Sequence, residues 1–496
     1  MLTALLIGIP LAGAALALAI RADGARRVLL IGAAAGHAAL TGLVCARRPG
    51  PIAGGWLGAG DLECLFLAIT SALFVAAAVY AVGYLRREGA TTHADIEEGM
   101  LFRNAPEAVF TACLLLFLGA MTLTILSRHL GLLWVAMEAT TLASAPLIFF
   151  HRHHRSLEAT WKYLVVCSVG IALALLGNFF VVVAAEGAGP LAMTFPALTA
   201  RAAALQPVWL KAAMALMVVG YGTKMGLAPL HTWLPDAHSE SPSLVSALLS
   251  GALLNCAFLA ILRMTGVCVA AGLGGFAREM LIALGLVSMG LAATFIIAQP
   301  DYKRLLAYSS VEHMGILSLG VGLGGVAAGG ALFHAVNHSL VKAALFLAAG
   351  NLLAAYRTKQ AAQTRGALRL APWTGFVWIA GFLAITGAPP FGTFVSELTI
   401  LRGAVEGGHV AVAAVYLLLL SVIFVAMAAQ VLPMAWGEAP ETAPGADGDS
   451  RPAEAASAIL PSLALLAVAL ALGCWIPGWL AGTLRGAAQT VGGLWP

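Results

Sequence analysis

Uninterrupted apolar runs of about 20 residues recur from one end of the chain to the other, each long enough to cross the hydrocarbon core of a bilayer as a helix. A membrane barrel would instead show short segments of alternating polarity. The runs therefore restrict the chain to one fold class, an all-α polytopic membrane protein. Composition agrees: of 496 residues, 60% are hydrophobic and only 10% charged, and the mean hydropathy of +0.92 is outside the range of soluble domains. We count about fourteen transmembrane helices.

The first run has no basic residue ahead of it and is followed by Arg21, Arg26 and Arg27, the reverse of a signal-peptide arrangement. It is expected to stay as a span with the amino terminus outside. In that orientation the cytoplasmic loops carry the larger share of Lys and Arg, which predicts N-out and C-out. The net charge of +4 then reports topology and gives no nucleic-acid footprint. The seven cysteines are scattered without zinc or iron-sulfur spacing, and no phosphate-cradling glycine loop is present. The longest polar loops, 86–107 and 436–456, are too short for a catalytic domain. The chain is expected to perform no redox chemistry, with neither cofactor nor metal of its own.

Two spans carry helix-breaking stretches. The seventh, 207–230, breaks at Gly226-Leu-Ala-Pro229 just after Lys224, and the twelfth, 373–400, breaks at Gly387-Ala-Pro389-Pro390 shortly before Glu397. Such breaks in corresponding places of two halves point to a transport site. A fainter echo pairs Val135-Ala-Met-Glu138 in the fifth span with Ser309-Ser-Val-Glu312 in the tenth. These pairs divide the chain into an N-terminal three-helix segment (1–107), a first five-helix repeat (108–262), a second (263–435), and a cytoplasmic loop with the last span (436–496). Because five is odd, the repeats are expected to be inverted about an axis in the membrane plane.

Ionisable residues inside apolar spans are costly and usually mark ion or proton pathways. Glu138 and Lys224 form a candidate coupled pair, since a neighbouring ammonium favours the charged carboxylate. In the eleventh span His334, His338 and Lys342 lie at i, i+4 and i+8 on one helical face. A metal shared by the two histidines is the first alternative. Lys342 on that face and the lack of a third ligand at an obvious spacing argue against it, and proton relay suits histidines better. His334 also fits a core histidine bonded to a carbonyl. His313 joins the set, with Glu312 as a local partner. Lys162 is close enough to a span end to snorkel, and Lys303 and Arg304 read as topology determinants. Asp236 is expected to organise the loop before a helix capped by Ser241 and Pro242. His231 and His238 suit either a cytoplasmic proton entrance or a plain loop. The cluster His151-Arg-His-His-Arg155 reads as a solvated turn beside anionic lipid.

At these residues the chain resembles a family. Leu132-Leu-Trp-Val-Ala-Met-Glu138, Lys224 through His238, Asp301 through Gly315, and His334 through Lys342 are similar to the antiporter-like membrane subunits of respiratory complex I, of Mrp-type sodium/proton antiporters and of group 4 [NiFe] hydrogenases. The wording around Glu138 and His238-Ser-Glu-Ser-Pro-Ser most resembles the F subunit of hydrogenase-4 and formate hydrogenlyase complexes. The resemblance implies two inverted repeats and a proton channel, with Glu138 and Lys224 coupled in the first half and Glu397 as the terminal proton site. His313, His334, His338 and Lys342 would connect them. One departure stands out: Asn255 occupies a position where the family usually has Lys or His. The last span, expected over 457–480, leaves about a dozen residues, too few for the long lateral helix of the distal complex I subunit. That subunit also resembles a lysine-bearing twelfth span, whereas Glu397 stands here.

The implied setting is a bacterial inner membrane. Partners would be further membrane subunits and a peripheral hydrogenase or dehydrogenase arm that holds the [NiFe] centre and iron-sulfur clusters. The moving ion would be the proton, with sodium as the alternative; a complex I-type NADH-quinone oxidoreductase subunit, an Mrp-like antiporter subunit and a passive assembly scaffold are the competing roles.

Overall fold

The computed structural model describes residues 1–89, 92–95, 98–187, 189–438 and 454–495. Most of the 436–456 loop lies outside these residues. The chain is a helical membrane protein, as its apolar runs require, since lipid offers no partner to an unpaired backbone group. Helices are numbered here in chain order: α1 (Leu2–Ala19), α2 (Asp23–Arg47), α3 (Asp61–Glu88), α4 (Glu107–Leu126), α5 (Leu130–Ile148), α6 (His154–Ala184), α7 (Pro207–Met225), α8 (Trp233–Glu240), α9 (Ser243–Ala270) and α10 (Gly274–Ile296). Then follow α11 (Tyr302–Leu323), α12 (Gly325–Tyr356), α13 (Pro372–Ile385), α14 (Gly392–Glu406), α15 (Val410–Trp436), α16 (Ala456–Cys474) and α17 (Gly478–Gln489). Among the described residues, 11 helices are long and apolar enough to cross a membrane. The segments outside that set include α7, α11 and the α13–α14 pair, which carry Lys224, the Glu312-His313 dipeptide and Glu397. Polarity or a break lowers their hydropathy, and both reflect the same residues.

Large apolar side chains stay exposed on the outer helices, among them Leu16, Leu18, Leu418, Val425 and Val468. In water such a surface would associate; against acyl chains it is the solvated face. Polar residues collect inside instead. Helix α12 is buried along most of its length, with α3, α9, α11, α14 and α16 around it. Neighbouring helices α6 and α7, and likewise α10 and α11, approach closely through small residues: Gly170 meets the backbone of Gly220, and Gly285 that of Gly315.

The N-terminal helices are stitched to the rest by a buried ion pair. Arg263 on α9 meets Glu63 on α3 at 2.9 Å and also donates to the carbonyls of Ile125 and Ser127 at 2.6 Å. It thereby satisfies carbonyls freed at the end of α4, which would otherwise lack partners.

Two expectations change, and a further feature appears in α9. The stretch after the first break is helical, α8, so Asp236 sits within a helix and the residue that caps α9 is Pro242. The last long helix ends at Cys474, and α17 follows it, packed on α3 and α12. A π turn at Leu249–Leu253 widens α9 just ahead of Asn255, a feature often found at functional sites.

Candidate functional site

Both breaks are made the same way. Helix α7 ends at Gly226 with φ +85°, and the chain after α13 passes Gly387 with φ +68°. Left-handed backbone is nearly free for glycine and costs other residues about 1–2 kcal/mol. Lys224 falls in the last turn of α7, where carbonyl dipoles favour a cation. Trp233 Nε1 donates to the Thr223 carbonyl at 2.9 Å, satisfying one of the groups that the break frees.

Lys224 is fully buried. Its Nζ donates to Thr141 Oγ1 and, at 3.1 Å, to the Tyr163 hydroxyl, and it lies 5.0 Å from the Tyr163 ring centroid. Thr141 Oγ1 in turn donates to Glu138 Oε2 at 3.3 Å, and Ser168 Oγ donates to Glu138 Oε1 at 2.9 Å. The expected Glu138–Lys224 pair is therefore a linkage through Thr141 rather than a contact. The threonine stands one helical turn beyond Glu138, on the same face of α5. Glu138 itself is half-buried beside the exposed Val135 and Leu142.

The second half holds a denser cluster. His313 Nδ1 and His334 Nε2 share a hydrogen bond of 2.8 Å, and His334 Nδ1 and Ser396 Oγ share one of 2.9 Å. The His338 ring lies 4.9 Å from that of His313. Glu397, next to Ser396, has Oε1 without a hydrogen-bond partner and its other oxygen against Gly387. Lys342 Nζ donates at 2.8 Å to both the Leu306 carbonyl and Ser309 Oγ. Glu312 lies beside Ser309 and Lys342. Glu312 is thus no partner of His313, because successive helical residues point in different directions. The stripe of α12 splits as well, with His334 and His338 directed at His313 and Lys342 one turn further on at Ser309.

Asn255 lies between the two halves. Its Nδ2 donates to Gly251 O at 2.8 Å and to Ser339 Oγ at 2.7 Å, while Oδ1 is buried without a partner. Its neighbour Cys256 is close enough to Lys224 to interact electrostatically, and Ser339 belongs to α12. Helix α9 therefore touches the lysine of one half and the polar helix of the other.

The histidines around the first break are buried. His231 lies near the rings of Phe295 and Tyr308, and His238 stacks on Phe346 at 4.8 Å. Neither forms a solvent-facing loop. Water meets the chain at a chamber of about 540 Å³ whose walls include His151, His153, Asp95, Glu240 and Lys303. Of the His151 to Arg155 cluster, His151, His153 and Arg155 line the chamber, while Arg152 and His154 are exposed. Tyr84 bonds His151 at 2.9 Å, and His153 caps α6 through Ser156. Burial lowers the His153 imidazole pKa, against the pull of Glu240 and Asp95. Burial works to raise Glu240, but Lys359 2.8 Å away holds its carboxyl below the usual range. Lys303 is buried too, donating to Ser239 O at 2.9 Å and Ser241 O at 2.7 Å. It closes the end of α8 and is more than a topology signal. Lys162 and Arg304 both pair with Asp236.

Sequence reasoning missed Thr141, Tyr163, Ser168 and Ser396 as members of the site, and brought in Ser309 and Glu312 only as an echo of the first half and, for Glu312, as a partner of His313. The signal present was a hydroxyl three residues from a membrane carboxylate, at Glu138/Thr141 and at Ser309/Glu312. Each hydroxyl takes a lysine from another helix.

The family model described as NADH:quinone oxidoreductase/Mrp antiporter, TM, matches residues 127–424, which hold Glu138, Lys224, Asn255, His313, His334, His338, Lys342 and Glu397. A relative called hydrogenase-4 component F homolog, from Methylacidiphilum infernorum (isolate V4), is 36% identical over 421 residues, 84% of this chain and 85% of its own. A chain of the membrane-bound sulfane sulfur reductase, an archaeal respiratory membrane complex, superposes with a TM-score of 0.86 at 22% identity, covering 99% of this chain and 98% of that one. A chain of the Mrp complex from Dietzia sp. DQ12-45-1b gives 0.81 at 22% identity, covering 98% and 96%. The chain belongs to the NADH:quinone oxidoreductase/Mrp antiporter transmembrane family, as an antiporter-like membrane subunit of the hydrogenase-4, complex I and Mrp type.

Proposed function

We propose that this subunit carries protons within a group 4 membrane-bound hydrogenase complex of a bacterial inner membrane. Electron transfer at a [NiFe] centre and iron-sulfur clusters in partner subunits would drive the movement. The pathway runs from Glu138, through Thr141, to Lys224, past Asn255 to Lys342, and through His338, His313 and His334 to Glu397. Protons enter from the chamber beside His153 and Glu240, with His238 behind its wall. The observation that carries this reading is burial: Lys224, Asn255, His313, His334, His338, Lys342 and Glu397 are each at most 8% exposed. Groups so costly to bury are retained in membranes where ions or protons pass.

The repeat division at 108–262 and 263–435 belongs to the same proposal. It is supported by the paired glycine breaks, by corresponding neighbours (α5 with α6 and α11 with α12; α6 with α7 and α12 with α13), and by the carboxylate, hydroxyl and lysine set that occurs once in each half. Counting α7 with α8, α11, and α13 with α14 as three further spans brings the 11 apolar helices to the fourteen expected.

Lys224→Ala and Glu397→Ala are each expected to slow proton translocation into vesicles holding the assembled complex by on the order of tenfold or more, as loss of an acid-base group does, while hydrogenase activity stays assembled. Pumping at the normal rate in both variants would overturn the reading and leave a scaffold. A rate that depends on sodium would favour cation/proton antiport instead.

A further inference from the structure

His313, His334 and Glu397 come from three different helices, α11, α12 and α14, and each presents a ligand atom within 4.8 Å of the others. All three are buried. Two of their polar atoms, His313 Nε2 and Glu397 Oε1, have no hydrogen-bond partner, so the cluster holds unused donor capacity in a place where unmet polar groups are costly. We propose that this triad is a binding site for a divalent transition-metal ion of the zinc class, held by two imidazoles and one carboxylate with water in the fourth position.

The chemistry of the donors selects the ion. Imidazole with a carboxylate suits zinc and its neighbours, whereas sodium, magnesium and calcium prefer all-oxygen cages. Tetrahedral zinc with bonds of about 2.0–2.1 Å keeps its ligands about 3.4 Å apart. The triad's ligand atoms lie within 4.8 Å of one another, so binding draws them together by about 1.4 Å at most and replaces the hydrogen bond between His313 Nδ1 and His334 Nε2. Outer-shell support is in place, because Ser396 holds His334 Nδ1 at 2.9 Å and leaves Nε2 on the triad side. Glu397 supplies one carboxylate charge to the ion, and the two imidazoles bind as neutral ligands. Lys342 does not oppose it, since its Nζ is turned to Leu306 and Ser309. A groove of about 330 Å³, lined by Glu397, Gly387, Tyr416 and Ser421, opens beside the carboxylate.

On the proton-pathway reading above, an occupied site would take the lone pairs that the relay uses and so arrest it. Binding itself is independent of that reading. The test is titration of the full chain in lipid nanodiscs with zinc chloride, followed calorimetrically, with X-ray absorption at the zinc edge. One saturable ion per chain is expected, with nitrogen and oxygen neighbours only. His313→Asn and Glu397→Gln should each weaken binding by at least about tenfold, and Ser396→Ala by about tenfold, while His338→Asn leaves it unchanged. Circular dichroism and size exclusion establish folding; if His313→Asn does not fold, Glu397→Gln and Ser396→Ala decide. Absence of saturable binding, affinity unchanged in Glu397→Gln, or loss in His153→Asn with retention in His313→Asn would each overturn the site. Pumping results for Lys224→Ala bear on the pathway and leave this outcome untouched.

Discussion

Thr141 gives the first half of the pathway a property that a direct ion pair would lack. Two charges in contact away from water gain little net stability after desolvation, and they hold each other in place. A hydroxyl accepts from Lys224 Nζ while donating to Glu138, so a change on one side reaches the other without a fixed pair. Thr141→Val keeps the shape and removes both bonds. It should leave Lys224 with the Tyr163 hydroxyl alone, at a cost of about 1–3 kcal/mol, and slow proton uptake by vesicles markedly, whereas Thr141→Ser should stay near the wild-type rate. Equal rates for the valine and serine variants would remove Thr141 from the link. The ionisable members, from Glu138 to Glu397, were legible as charges in apolar runs. Their partners were not, because a Thr or Ser in a membrane helix more often bonds its own i−4 carbonyl, as Thr223 does with Val219.

Among the elements, the two glycine breaks do the positioning. A Cβ at Gly387 would fall on the Glu397 carboxylate, and one at Gly226 on Leu234; both positions also have left-handed backbone. Gly387→Ala should therefore lower the melting temperature of the detergent-solubilised protein, from a cost of about 1–2 kcal/mol in backbone alone, and displace Glu397 enough to reduce transport. Gly290→Ala, with nothing within 4 Å of the added carbon, is the control and should melt as wild type does. An unshifted melting curve for Gly387→Ala would show that the break tolerates a side chain. Both breaks could be read from Gly and Pro in apolar runs. The π turn at Leu249–Leu253 could not, since Leu-Ser-Gly-Ala-Leu has ordinary helical composition; the turn packs against α3 and α12.

For the whole molecule, fourteen crossings would bring both termini to the same face. With N-out orientation, alkaline phosphatase fused after Pro496 should be active and a green fluorescent fusion dark in cells; bright fluorescence would place the carboxyl terminus inside and reverse the chamber's side. The hydropathy of the runs determined by itself that this is an all-α membrane protein, because backbone groups in lipid must be paired within the segment. It also marked the costly residues and the helices that Gly and Pro break. Only the tertiary structure decided which of those residues meet. His334 pairs with His313 rather than its helical neighbour, Glu312 turns to Lys342, and the carboxylate beside the histidines is Glu397 from another helix. Periodicity places side chains around one helix axis, whereas such meetings depend on how separate helices pack against each other, which no local pattern encodes.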